Sequence, residues 1–126
     1  SSPPESVHAL DPEALNAPEV DFFTLREGET VLAMGAIKAI SPDHAEVKSM
    51  HVVSEARGRG LSAQLLARLV EQAKARGYTR LSLETGIEEV FAPARKLYEK
   101  AGFTYCGPFE GYTDDPNSVF MTRPLA

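Results

Sequence analysis

The stretch Glu46 to Gly77, EVKSMHVVSEARGRGLSAQLLARLVEQAKARG, holds the residues best placed to do chemistry. It runs from an alternating segment ending at Val52-Val53, through Arg57-Gly58-Arg59-Gly60, into a long amphipathic run beginning Leu61-Ser62. Glycines let the chain turn tightly and leave its amide hydrogens exposed. The first N–H groups of a following helix have no intrahelical acceptor. With Arg57 and Arg59 beside them, such donors suit a phosphorylated ligand, and a pyrophosphate in particular. A plain turn uses the same residue types, so the loop by itself leaves both readings open. Two other phosphate motifs are excluded: GxxxxGK[ST] is absent, and GxGxxG fails because Leu61-Ser62-Ala63 follow Gly60.

The elements that must position this loop are legible on either side of it. Residues 1 to 9 are rich in Pro and Ser and read as loop, and Asp11-Pro12 opens a short helix that Pro18 limits. Val20 to Arg26 reads as a strand, Glu27-Gly28-Glu29 as a hairpin turn, and Thr30 to Ile40 as a central strand. Ser41-Pro42-Asp43-His44 is a second turn, and Ala45 to Val53 a third strand, which makes an antiparallel meander. Leu61, Leu65, Leu66, Leu69, Val70 and Ala73 recur at helical spacing up to Gly77, a natural stop. Arg80 to Glu84 is a short strand expected to lie parallel to the one holding Glu46. Pro93 opens a helix that places Ala94, Leu97, Tyr98 and Ala101 on one face and ends at Gly102. Phe103 to Gly107 and Val119 to Arg123 complete the chain as strands, joined by an acidic and aromatic loop.

At 126 residues the chain makes one domain, residues 1 to 126, with an ordinary 43% hydrophobic and 25% charged content. A net charge of −5 argues against a general affinity for nucleic acid. Cys106 is the only cysteine, so no intrachain disulfide forms and cytoplasmic residence is expected. No apolar run is long enough to span a bilayer, and the N-terminus lacks the features of a signal peptide.

Arg57-Gly58-Arg59-Gly60-Leu61-Ser62 resembles the R/Q-x-x-G-x-G/A signature of the GNAT superfamily of N-acetyltransferases. Ala94-Arg95-Lys96-Leu97-Tyr98-Glu99-Lys100-Ala101-Gly102-Phe103 resembles the A-x-x-x-Y-E-x-x-G-F element of the same family. The resemblance runs from about Val20 to the C-terminus. It implies an α/β (α+β) acyl-CoA N-acyltransferase fold, a mixed and mostly antiparallel sheet flanked by helices, with acetyl-CoA held between the Glu46 and Leu83 strands. The residues expected to hold the cofactor are Arg57, Gly58, Arg59, Gly60, Leu61 and Ser62. The Met50 amide is expected at the thioester oxygen, and the Val52 backbone on the pantetheine arm. Three departures stand out. Ser62 replaces a glycine or alanine, and Phe91 occupies the place of an asparagine. The strand and helix that usually open the fold are missing, as in a fragment or in a chain whose edge another subunit supplies.

The implied reaction moves an acetyl group from acetyl-CoA to a primary amine by direct attack in a ternary complex, with no metal. An alkylamine has a pKa near ~10.4 and must lose a proton before it attacks. Glu46 matches the family's strand glutamate and is the candidate base, although a solvated ion pair with Lys48 explains it equally well. His51 has a more suitable intrinsic pKa, but simple alternation points it to the opposite face from Glu46. Tyr98 matches the tyrosine that protonates the departing sulfur, and it also fits a packed helix face. Cys106 reads as packing rather than as a nucleophile. Glu110, Tyr112, Asp114 and Asp115 lie in a loop of the kind that lines acceptor sites. The expected partner is a small-molecule amine, with no nucleic acid or membrane, and a homodimer is compatible. The rival readings are a non-catalytic acyl-CoA-binding or regulatory module, and a protein or peptide N-acetyltransferase.

Overall fold

The computed structural model describes residues 19–125, so the short helix expected at Asp11-Pro12 lies outside the described residues. Three strands come first: β1 (Val20–Glu27), β2 (Thr30–Ser41) and β3 (His44–Val52). They form the expected meander, closed by two-residue turns at Gly28-Glu29 and Pro42-Asp43. A single 3-10 turn, Ser54–Ala56, leads to helix α1 (Leu61–Ala75) and then strand β4 (Arg80–Gly86). A second such turn, Glu89–Phe91, leads to helix α2 (Ala92–Lys100), and β5 (Thr104–Cys106) and β6 (Ser118–Pro124) follow. The sheet order is β1-β2-β3-β4-β6-β5, and among the described strands only β3 and β4 are parallel neighbours.

Both helices end where the glycines dictate. Gly77 has φ +88°, its amide donates to the Lys74 carbonyl at 3.0 Å, and the Tyr78 amide donates to Ala73 at 3.1 Å. Gly102 repeats the arrangement at φ +94°, with its amide on Glu99 and the Phe103 amide on Tyr98, both at 3.0 Å. Only a residue without a Cβ enters this left-handed conformation freely, and the paired bonds satisfy carbonyls that the helix end would otherwise leave bare.

The apolar stripe of α1 covers one face of the sheet. Leu65, Leu66 and Leu69 are buried against Ala33, Ile37, Val47, Leu81, Leu83 and Met121. From α2, Tyr98 joins the same core, and Ala94, Leu97 and Ala101 pack at its border. Apolar area removed from water at about 25 cal/mol per Å² makes this layer the main source of stability. The opposite face is more polar, carrying Lys38, Glu46, Lys48 and Ser82.

Pairing between β3 and β4 is brief. It joins His44 to Arg80, Ala45 to Leu81 and Glu46 to Ser82, and then it stops. Beyond that point β3 keeps β2 as its neighbour and β4 keeps β6 as far as Gly86–Ser118, so the sheet opens into a wedge. Phe91 packs its ring on the Gly86 backbone at the far wall of the wedge, where any Cβ on residue 86 would run into it. Gly86→Ala should therefore cost about 1–3 kcal/mol by overpacking, measured as a lowered midpoint in denaturant unfolding.

Candidate active site

The loop before α1 presents its amides outward. Gly58 and Gly60 have φ +82° and +73°, and Gly60 is the N-cap of α1 with no side chain to cap it. The first α1 bond runs from the Gln64 amide to the Gly60 carbonyl at 3.2 Å. Among the described residues, no acceptor takes the amide hydrogens of residues 58 to 63. A run of unpaired donors at a helix N-terminus fits an anionic diphosphate, because it supplies several hydrogen bonds and the positive end of the helix dipole.

A cavity of about 630 Å³ opens beside this loop and continues into the wedge. Its wall brings together Met50, Val52, Arg57, Gly58, Gly60, Leu61, Ser62 and Tyr98 from the sequence-predicted set, with His51, Phe91 and Leu97. Arg59 stands outside that wall. Its guanidinium donates to Glu27 at 3.2 Å across an exposed pair, the kind of contact worth at most about 1 kcal/mol. Phe91 makes the wall apolar where an asparagine would have offered an amide.

The strand side of the cavity is built by a bulge. Met34 pairs with His51 and Ala36 with Lys48, so Ser49 and Met50 together oppose Gly35. Ser49 takes φ +56°, rare for a residue with a side chain, and such strain clusters at functional sites. Gly35 makes room for the bulge, since a Cβ there would sit 3.0 Å from Met50 Cγ and 3.3 Å from Leu65 and Leu69. The extra residue reverses the alternation beyond it. Cross-strand partners share a face, and Met34, Ala36 and Lys38 lie on one face of β2; their partners His51, Lys48 and Glu46 therefore lie on one face of β3. The placement of His51 opposite Glu46 is corrected on this ground.

Glu46 occupies the last paired position before the wedge and does not line the cavity. It is 4% exposed, so the carboxylate is not the solvated one expected from Lys48 pairing alone. The Tyr112 hydroxyl donates to its Oε2 at 2.8 Å, Lys48 Nζ stands 3.6 Å from the same oxygen, and Lys48 donates to the Tyr112 hydroxyl at 3.0 Å. Burial raises the Glu46 pKa, opposed by the Tyr112 hydrogen bond and then by Lys48 and Lys38. Tyr112 reaches this place because its loop folds back on the sheet. Phe109 packs edge-on against Tyr112 at 5.3 Å and Phe120 at 5.6 Å, with His44 at 5.9 Å. Sequence reasoning placed Tyr112 near an acceptor site but missed its bond to Glu46. No local pattern encodes a contact spanning 66 residues.

Tyr98 is 9% exposed, and its hydroxyl makes no hydrogen bond to another described residue. Burial pushes its pKa up to about 12, so at neutral pH it is a proton donor only. Burial also pushes the Cys106 thiol up, against a nucleophilic role. Among the described residues, no His, Cys, Asp and Glu cluster of three or more is placed to hold a metal, and no helix is long and apolar enough to cross a membrane.

A wedge in a mixed sheet, a cradle of main-chain donors at its mouth and a buried phenol in its wall suit an acyl-CoA-dependent acyltransferase. Comparison with known proteins agrees: the model of the acetyltransferase (GNAT) family matches residues 1–103. The uncharacterized N-acetyltransferase YsnE of Bacillus subtilis is 50% identical over 124 residues, covering 98% of this chain and 82% of that protein. The IAA acetyltransferase of Azospirillum brasilense is 42% identical over 125 residues, covering 98% and 80%. A Klebsiella pneumoniae structure assigned as an acyl-CoA N-acyltransferase superposes with a TM-score of 0.83 at 32% identity, covering 95% of this chain and 82% of that one. The chain belongs to the GNAT family of acetyltransferases. It is an acetyl-CoA-dependent N-acetyltransferase.

The Glu46 environment has a consequence for stability. Its folded pKa lies above the ordinary 4.5, so the folded state holds that proton more tightly than the unfolded state does. The ionised carboxylate therefore costs stability above its folded pKa, and the cost disappears below 4.5, where both states are protonated. Glu46→Gln should melt higher than the wild type at neutral pH, and the gap should close as pH falls toward 4.5. Thermal melts across that range check it.

Proposed function

We propose that the acceptor is the primary amine of a small molecule, that residues 57 to 62 grip the diphosphate of acetyl-CoA, and that Glu46 and Tyr98 handle the protons. The observation that carries this reading is the run of unpaired amides from 58 to 63 at the mouth of a cavity walled by Tyr98. The Tyr112 loop lies across the Glu46 face through its bond to the carboxylate, which confines the acceptor side and favours a compact amine over a peptide. The Azospirillum brasilense relative named as an IAA acetyltransferase supports a small acceptor as well.

Acetyl-CoA supplies an activated thioester carbonyl, and the rest of the chemistry falls to the protein. The acceptor arrives as an ammonium with a pKa near ~10.4. Glu46 attracts that cation; one carboxylate oxygen is held by Tyr112, and the other takes a proton. Its raised pKa makes it a stronger base than an ordinary carboxylate. Main-chain groups of β3 from Met50 to Val52 face the wedge without a partner strand on that side and can hold the pantetheine arm and the carbonyl oxygen. Tyr98, protonated at neutral pH, gives its proton to the departing sulfur.

Turnover across a panel of primary amines and amino acids, followed by free thiol release, tests the acceptor class; activity on peptides alone would refute it. Arg57→Glu should weaken CoA binding tenfold or more by placing a carboxylate among phosphates, whereas Arg59→Glu should weaken it less because Arg59 stands outside the cavity wall. Equilibrium binding of CoA separates the two. Tyr98→Phe should lower kcat about 100-fold and leave CoA affinity within a factor of two, as steady-state kinetics will show.

A further inference from the structure

An ammonium nitrogen that becomes an amide nitrogen loses two protons. The first leaves the ammonium before attack, and the second leaves once the C–N bond has formed and nitrogen carries a positive charge again. Glu46 lies at the closed end of the wedge, outside the cavity wall, and in the reading above it takes the first proton. The second is released inside the wedge, beside the carbonyl carbon, and needs an acceptor there.

His51 stands in that wall. The bulge at Ser49 brings its side chain to the Glu46 face, and it is 7% exposed. Its Nε2 is buried without a hydrogen-bond partner, and no described residue bonds to its side chain. A buried polar nitrogen left unpartnered costs about 1–3 kcal/mol, so it needs a reason. The groups around it are Arg57 and Tyr98 in the same wall, with Lys48 and Glu46 further along β3; Met34 and Thr24 beside it on β2 and β1 do not titrate. Among the described residues, no carboxylate lines the cavity to hold a proton on the ring. Burial and the Arg57 charge lower its pKa, which keeps the imidazole neutral at pH 7 and quick to pass on any proton it receives.

We infer that His51 is the proton acceptor for the attacking nitrogen after C–N bond formation, a task distinct from that of Glu46. The proposal rests on the acyl-transfer site described above. The nitrogen lone pair forms the C–N bond, the C–S bond breaks with its electrons on sulfur, and sulfur takes the Tyr98 proton. The nitrogen proton passes to a ring nitrogen of His51 and then, through solvent, restores the Tyr98 phenol. For a cationic acceptor, the proton taken by Glu46 leaves to bulk water, so the reaction balances to one amide, one thiol and one released proton.

Hydroxylamine separates the two roles, because it is already neutral near pH 7 yet still loses a proton from nitrogen after attack. Rates with hydroxylamine, read as acetohydroxamate above the uncatalysed rate, are compared with rates on the best amine of the panel. Glu46→Gln should lose more activity on the alkylamine than on hydroxylamine. His51→Gln should lose about 100-fold in kcat on both, keep its KM for acetyl-CoA within twofold, and lose the acid limb of the kcat profile. That limb should shift with temperature in the wild type, as imidazole ionisation does and carboxylate ionisation does not. Circular dichroism and CoA affinity of His51→Gln show that the fold persists; His51→Asn replaces it if they do not. The inference is overturned if His51→Gln keeps its rate or its acid limb, or if its deficit vanishes with hydroxylamine. Wild-type enzyme that accelerates hydroxylamine but none of the panel amines refutes the small-amine reading while His51 is still judged. Wild-type enzyme that accelerates neither overturns both.

Discussion

Every feature of the site depends on the parting of β3 and β4 after Glu46 and Ser82. A continuous parallel ladder would consume the main-chain donors and acceptors of β3 and leave no space between the strands. Because each strand keeps an outer neighbour, β2 for one and β6 for the other, the opening does not leave either strand unsupported. The bulge at Ser49 and the absence of a side chain at Gly35 turn the opening into a shaped wall. On the other side, the Arg95 guanidinium donates to the carbonyls of Gly86 at 2.7 Å and Glu88 at 3.0 Å, fixing the end of β4 and the turn that carries Phe91.

The two faces of the sheet divide the labour. The α1 and α2 face supplies the apolar burial that holds the domain together, and it can be read as an ordinary core. The other face carries the groups that are costly to bury. Glu46, Lys48 and Tyr112 satisfy one another through a hydroxyl that accepts from the ammonium and donates to the carboxylate. Such an arrangement lets a carboxylate be taken largely out of water without becoming an unpaired charge, while its basicity rises. Ser82 is satisfied in a similar way by His44 at 2.7 Å and Thr122 at 2.8 Å. The buried side-chain atoms left without partners are at the bulge, Ser49 Oγ and His51 Nε2 among the described residues. Polar satisfaction is thus nearly complete around the site and incomplete at its centre, the pattern expected where a ligand supplies the missing contacts.

The sequence by itself determined a good deal. Apolar spacing from Leu61 to Ala73 and the stop at Gly77 specify α1, and alternation with short turns specifies the meander. The glycine loop and the Ala94–Phe103 element together specify the family, because donors at a helix start need small residues and backbone freedom, both visible locally. Three things were decided only by the tertiary structure. The bulge moved His51 to the Glu46 face, and its cause lies in how Met50 packs against Gly35 and α1 rather than in the alternation of β3 itself. Tyr112 met Glu46 across 66 positions because an aromatic cluster folds its loop onto the sheet. Arg59, equal to Arg57 in sequence, turned out to Glu27 on the rim. Local propensity and periodicity act over a few residues and are written in the chain; strand register, loop docking and the choice between two neighbouring arginines are settled by contacts between distant segments, which exist only once the sheet has formed.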